Sequence, residues 1–313
     1  MFFSPIVSGE GDQPSRIRLR TLSLGAGVQS TTMALMAAHG EIGPMPDCAI
    51  FADTGWEPKA VYEHLEWLMS PNVLPFPVHI VSAGNIRDNL MRAAAGERWA
   101  SIPAFARTVT PIGATVPVFD EAEDGELIEI GSRSTSRETV SIGMMRRACT
   151  GDFKVIPIRR KIREILDLTR KRSPSYPVAQ CWIGISTDEA VRMKPSFEDW
   201  QVNRWPLIEQ RMTRQDCLAW LRRHGYPEPP KSACLGCPYH DNKRWRDIRE
   251  NEPEEWADVV EVDHALRRGV RRIRGEVFLH RSCVPLDEVD LSVAVDRGQL
   301  DLFGNECEGM CGL

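Results

Sequence analysis

Two groups of residues in this 313-residue sequence have the types and spacing to do chemistry. The first is Ser23-Leu-Gly-Ala-Gly-Val-Gln-Ser-Thr-Thr32, a glycine-bearing turn between an apolar strand and a helix. Gly25 and Gly27 let backbone N–H groups approach a phosphate, and the helix start adds partial positive charge and free donors. The Ser30 and Thr31 hydroxyls can add two more donors. The turn lacks the Gly-Lys-Ser/Thr of a Walker loop, and its glycine spacing is not that of the dinucleotide fingerprint. A turn of this kind also serves simply to open a helix. The second group is Cys234-Leu-Gly-Cys237, stiffened by Pro238, with Cys149 far upstream. Two thiolates separated by two residues can face one metal centre. Three thiolates leave an open position or take a fourth ligand. The tail Glu306-Cys-Glu-Gly-Met-Cys311 offers Cys307 or Cys311, and Cys311 is preferred because Gly312 lets the chain end turn.

The elements that must position these groups follow a strand–loop–helix rhythm. Ile17–Leu24 runs into the glycine turn, and a helix follows with Val28, Thr32, Leu35 and Met36 on one face and Gly40 as its stop. Cys48–Ala52 and Val78–Val81 read as strands, with a helix over Ala60–Met69 between them. A helix near Val155–Leu168, a strand over Ala179–Ile185 and a helix over Thr213–His224 complete the series, with Gly225 as the last stop. Buried strands alternating with helices predict a doubly wound, mostly parallel α/β sheet, whose binding sites lie beyond the carboxyl ends of the strands. Gly25–Ser30 and Asp53–Trp56 both follow strands at that edge. Arg98–Thr139 interrupts the rhythm with three prolines and an acidic patch, and reads as an excursion with a hairpin, a candidate lid. From Pro229 onward the sequence reads as irregular and rich in Cys, Trp and Arg. The expected organisation is therefore residues 1–16 as a flexible start, 17–225 as the α/β domain with an inserted excursion at about 98–140, and 226–313 as a smaller cysteine-rich module.

Composition narrows the class. The charged share is 27% and the hydrophobic share 42%, enough for a packed core. No apolar run approaches the ~20 residues of a membrane span, and the start lacks a secretory signal, so a cytoplasmic protein with no membrane partner is expected. Nine cysteines in such a setting argue for metal or sulfur chemistry rather than disulfides. Cys48, Cys181 and Cys217 lie in apolar or amphipathic stretches and read as small core residues; Cys283 reads as unliganded. A net charge of −5 gives no global pull toward nucleic acid. The basic residues are nevertheless bunched at Arg146–Arg172 and again at Arg267, Arg268, Arg271, Arg272 and Arg274. Either group could meet a polyanion or form a solvated helix face.

The segment Gly25-Ala-Gly-Val-Gln-Ser30 resembles the PP-loop of the adenine nucleotide α-hydrolase-like superfamily, Ser-Gly-Gly-x-Asp-Ser. Gly27 and Ser30 match it, whereas Gly25, Ala26 and Gln29 depart from it. Asp53-Thr-Gly-Trp-Glu-Pro58 is similar to the Asp-Thr-Gly segment of the phosphoadenylylsulfate (PAPS) reductase branch. The resemblance continues through Arg147–Lys154, Gly184–Arg192, Arg204–Ile208 and Ser232–Pro238, covers most of Arg18–His240, and is nearest to a PAPS reductase-like group of phages and bacteria.

The resemblance implies cleavage of ATP between its α and β phosphates with Mg2+, or use of an adenylylated sulfonucleotide. It makes Ser23, Gly25, Gly27, Gln29, Ser30 and Thr31, with Asp53, Thr54 and Gly55, the nucleotide contacts. Asp53 could hold Mg2+ or a ribose hydroxyl, or be only a turn residue. Asp188, Glu189 and Arg192 could face the same nucleotide, Arg192 as a phosphate donor, or form a surface turn with an ion pair. Asp53, Asp188 and Cys311 are the candidate catalytic residues. For Cys149, Cys234, Cys237 and Cys311 it implies a 4Fe–4S cluster, with structural Zn2+ or ordinary thiols as the alternatives. The single Cys149 departs from sulfonucleotide reductases, which carry adjacent cysteines.

The expected function is an ATP-dependent adenylylating enzyme that inserts sulfur into a nucleic-acid or nucleobase-like substrate. The alternatives are a PAPS or APS reductase that releases sulfite, and a zinc-containing nucleotide-binding module without turnover. Candidate partners are a nucleotide, tRNA or DNA, a sulfur donor or a thioredoxin-like reductant, and a second copy of the chain as a homodimer. Tyr239, His240, Lys243, Arg244, Trp245 and Arg246 suit stacking and phosphate contacts, or equally a helix that covers the cysteines.

Overall fold

The computed structural model describes residues 17–121, 126–293 and 296. In chain order the elements are β1 (Leu19–Leu24), α1 (Val28–Ala38), β2 (Cys48–Asp53), α2 (Lys59–Leu68), β3 (Val78–Ser82) and α3 (Ile86–Ala94). Four strands follow: β4 (Phe105–Thr110), β5 (Thr115–Glu121), β6 (Leu127–Ser134) and β7 (Thr139–Met144). A π-helical turn over Thr150–Val155 leads into α4 (Ile156–Ile165) and β8 (Ala179–Ile183). After a 3-10 turn at Thr187–Arg192 come β9 (Gln201–Arg204), α5 (Pro206–Glu209), α6 (Arg214–Arg223), α7 (Asn242–Asn251), α8 (Pro253–Arg267) and β10 (Glu276–Phe278).

The chain divides into two compact units. The first comprises residues 1–52, 60–81 and 157–231. It holds a five-stranded, all-parallel sheet in the order β3-β2-β1-β8-β9. Alternation along the strands sorts the side chains between two faces. Leu22, Leu24, Ala49, Phe51 and Trp182 share one core with α1, α2 and α6. Leu19, Cys48, Ile50 and Ala52 share another with Ile158 and Ile162 of α4. A sheet covered on both faces explains why β2 is buried along almost its whole length. Gly40 and Gly225 take positive φ just past α1 and α6, as expected of helix stops. The Thr213 hydroxyl and Asp216 carboxylate form a reciprocal capping box that starts α6.

The second unit comprises residues 53–59, 82–156 and 232–313. This differs from a break at residue 225, because α3 shares a core with the C-terminal helices. Ile86, Leu90 and Ala104 pack with Trp245, Ile248, Val259, Val262 and Leu266. The region after Pro229, expected to be irregular, contains α7, started by the Asp241 side chain, and α8, started by Pro253. The strands of the excursion lie in two antiparallel sheets: β4 pairs with β7 and with the later β10, and β5 pairs with β6. No helix among the described residues is long and apolar enough to cross a membrane.

Candidate functional site

The first unit carries the glycine turn. Its sheet order places β1 and β8 side by side where the chain reverses its direction of travel across the sheet. In such sheets the crevice beyond the carboxyl ends of those two strands is the habitual ligand site. Gly25–Ser30 follows β1 and Gly184–Glu189 follows β8. The turn is closed internally: Ser30 Oγ accepts the Gly25 N–H at 3.1 Å and donates to the Gly27 carbonyl at 3.3 Å. Ala26 carries φ 54, a left-handed conformation that glycine tolerates better. Gly27 precedes α1 with no side-chain cap, so the first N–H groups of that helix are left for other acceptors. Gly184 passes so near this helix start that a Cβ there would stand 3.0 Å from the Ser30 nitrogen.

Around the turn, Gln29 Nε2 donates to Glu189 at 3.3 Å and reaches Ser186 Oγ at 3.5 Å. Glu189 is ion-paired with Arg192, and burial holds its carboxyl above the ordinary range against the pull of that guanidinium. Arg192 therefore stands in the ion-pair arrangement. Asp188 is exposed and accepts the Arg214 N–H at the start of α6, 3.1 Å away. Ser23, Gly25, Gly27 and Gln29 are half-buried. The expectation that Thr31 lends its hydroxyl to a phosphate is corrected. Thr31 is fully buried, with its Oγ1 3.0 Å from His64 Nε2, because a residue one step beyond Ser30 on α1 turns toward α2. Burial lowers the His64 imidazole to about 4.

The second unit carries the cysteines. Cys149, Cys234 and Cys237 line one small cavity of about 20 Å³ together with Thr54, Ile86, Ile102, Thr150 and Lys154. The residues that follow β2 shape this cavity. The Asp53 carboxylate accepts the Gly55 N–H at 2.8 Å, a bond that closes the turn after β2, and Gly55 at φ 72 packs against Asn85. Thr54, 1% exposed, places its hydroxyl 3.3 Å from Cys234 Sγ and donates to Glu57 at 3.1 Å. Glu57 is buried and lies 3.7 Å from Cys234 Sγ and 3.6 Å from Lys154 Nζ. The Trp56 carbonyl accepts the Leu235 N–H at 2.9 Å, while its indole donates to Asp258 at 2.6 Å. Asp258 is braced in turn by Arg87. The Cys234–Cys237 turn is closed by a 3.0 Å bond from the Cys237 N–H to the Cys234 carbonyl, and the same carbonyl meets His240 Nε2 at 3.0 Å. The Arg147 guanidinium lies 5.6 Å from the Tyr239 ring centroid, and Trp245 is buried with its ring edge-on to His240.

Whether these donors fit a metal group is a question of number and spacing. Among the described residues, no group of three or more His, Cys, Asp or Glu side chains is arranged to hold a metal ion. Three soft thiols lining one cavity are a donor type that both an iron–sulfur cluster and a zinc ion take. The expected further ligand Cys311, and Cys307, lie outside the described residues. The remaining cysteines have other roles. Burial raises Cys48 and Cys181 to about 11 and Cys217 to about 12, which leaves them inert in the core. Cys283 is also buried and raised.

Glu57 was missed from sequence; its place after Trp56 in the Asp-Thr-Gly-Trp-Glu segment was the only signal. No family model matches the chain, and no curated protein matches its sequence.

Proposed function

We propose that this chain is a PP-loop-type enzyme, similar to the PAPS reductase-like branch, that uses ATP and Mg2+ to adenylylate an oxygen of a nucleic-acid or nucleobase-like substrate and replaces that oxygen with sulfur. The observation that carries the reading is the convergence of Cys149 and the Cys234–Cys237 turn, 85 residues apart at the nearest, on one cavity with Thr54 and Lys154. A 4Fe–4S cluster held by Cys149, Cys234 and Cys237 would leave one iron open to hold the transferred sulfur, whereas Cys311 as fourth ligand would close that position.

The chain's own residues divide the remaining work. The uncapped N–H groups after Gly27 favour the diphosphate of a nucleotide, and Ser30 keeps their loop closed around them. Gln29 and Glu189 form a polar rim beside that loop and can orient a sugar or base. The Thr54 hydroxyl stands beside the Cys234 sulfur, and Lys154, ion-paired with Glu57, stands at the cavity wall.

The test is product analysis with the full chain prepared without oxygen, given ATP, Mg2+, sulfide and a pool of tRNA or DNA. Equal amounts of AMP and pyrophosphate, with sulfur appearing in the nucleic acid, are expected. Release of ADP and phosphate would contradict the reading. Release of sulfite from PAPS with reduced thioredoxin would replace it by reduction, and ATP binding with no turnover would replace it by a sensor.

A further inference from the structure

The basic group at residues 267–274 makes no contribution to either site above, yet the second unit holds it in a defined shape. The loop after α8 is tied at three points. Val270 is buried, the Ile273 N–H donates to the Val270 carbonyl at 2.9 Å, and Thr108 Oγ1 donates to the Arg274 carbonyl at 3.0 Å. At its end, Gly275 passes so close to β4 that a Cβ would lie 2.1 Å from the Arg107 carbonyl oxygen. With Val270 and Ile273 packed on the core, Arg268, Arg271, Arg272 and Arg274 are left exposed. Arg272 sits at φ 65, a conformation that favours glycine or asparagine, and its guanidinium lies 5.0 Å from the ring centroid of Trp99. Trp99 is 54% exposed and adjoins the exposed Arg98.

This charge is not neutralised locally. The acidic side chains adjoining these residues in sequence are paired elsewhere: Glu97 with Arg92, Asp263 with Arg267, and Glu276 with Arg107. Among the described residues, none of Arg98, Arg268, Arg271, Arg272 and Arg274 forms an ion pair. Single exposed arginines are commonplace. Five of them grouped with an open indole, on a loop whose backbone is fixed, on a protein of net charge −5, form a local cationic surface.

We infer that this loop and Trp99 bind single-stranded nucleic acid. Guanidinium groups match phosphate oxygens two at a time, and an exposed indole can stack only on a base that is not already stacked in a duplex. The inference deepens the functional reading by supplying its substrate class, and rests on it only for the meaning of the binding; the binding itself needs no turnover.

The experiment is fluorescence anisotropy of a short fluorescein-labelled oligothymidylate and oligouridylate with the full chain, without ATP, across a salt series. Binding that weakens with salt is expected. Replacing Arg271, Arg272 and Arg274 together by Gln should weaken it at least tenfold and lower the slope of log affinity against log salt by about 2, from roughly 0.7 per phosphate contact. The matching Lys variant should keep most of the slope. Trp99→Ala should weaken binding about tenfold with the slope unchanged. Iron and sulfide content measured in the same samples separates the two readings, since loss of oligonucleotide binding with the metal content intact concerns this surface alone. No binding by the wild type at low salt, wild-type affinity in the Gln variant, or duplex DNA competing equally while Trp99→Ala is neutral would each overturn the inference.

Discussion

The ring of Trp56 lies against Gly236 so closely that a Cβ at residue 236 would stand 2.3 Å from two of its atoms. The turn between the two cysteine thiols is thus seated on an indole that is fixed by Asp258 and Arg87. Neither partner can give way easily, since Trp56 is buried in the core of the second unit. Gly236→Ala should therefore destabilise the fold by ~1–3 kcal/mol, the usual cost of overpacking, and displace the Cys234–Cys237 turn. Differential scanning calorimetry with a metal assay on the same sample checks both effects; an unchanged melting temperature would show that the turn is not seated as described.

The nucleotide loop makes a parallel prediction. Ser30→Ala removes both bonds that close the loop on Gly25 and Gly27, and Gly184→Ala pushes a methyl group onto the Ser30 backbone. Each should weaken ATP binding by ~1–2 kcal/mol, the scale of one or two hydrogen bonds, as read by calorimetric titration. Thr31→Val should instead act on stability, because its hydroxyl faces His64 inside the unit.

His64 gives that interior a pH dependence. Its folded-state value near 4 lies below the ordinary 6.5, so the unfolded chain binds the extra proton first. The stability this group contributes is complete above pH 6.5 and is lost as the pH falls from there toward 4. Wild-type melting temperature should fall across that window more steeply than that of His64→Gln. Parallel profiles would mean that the imidazole is solvated.

Glu255 works in the opposite sense. Burial, reinforced by Glu252, raises its carboxyl to about 7, so the folded state holds the proton longer than the unfolded one. Its contribution should destabilise the protein progressively as pH rises from about 4.5 to 7, and Glu255→Gln should remove that part of the profile in a thermal melt series.

The parallel sheet was legible because buried strands and amphipathic helices carry their periodicity openly. The apolar run at Cys48–Ala52 and the glycine stops at Gly40 and Gly225 fall where the elements end. The glycine turn and the Cys234–Cys237 pair were equally visible as patterns, since each lies within a few consecutive residues. What was hidden depends on residues distant in sequence. The helices α7 and α8 carry only scattered apolar positions such as Trp245, Ile248, Val259 and Val262, which make sense only against Ile86 and Leu90. The second unit is likewise assembled from three separate stretches, so no composition shift along the chain could mark its boundary. Thr31 was misread because its hydroxyl type suits a phosphate, whereas its position on α1 directs it inward.

The most direct measurement is iron, zinc and acid-labile sulfide per chain on full-length protein prepared without oxygen, compared with Cys149→Ala, Cys237→Ala and Cys217→Ala. A brown wild type with about four iron and four sulfide, both lost in Cys149→Ala and Cys237→Ala but kept in Cys217→Ala, is the predicted result. A colourless wild type, carrying one zinc or no metal at all, would contradict the assignment of Cys149, Cys234 and Cys237 to a sulfur-handling cluster.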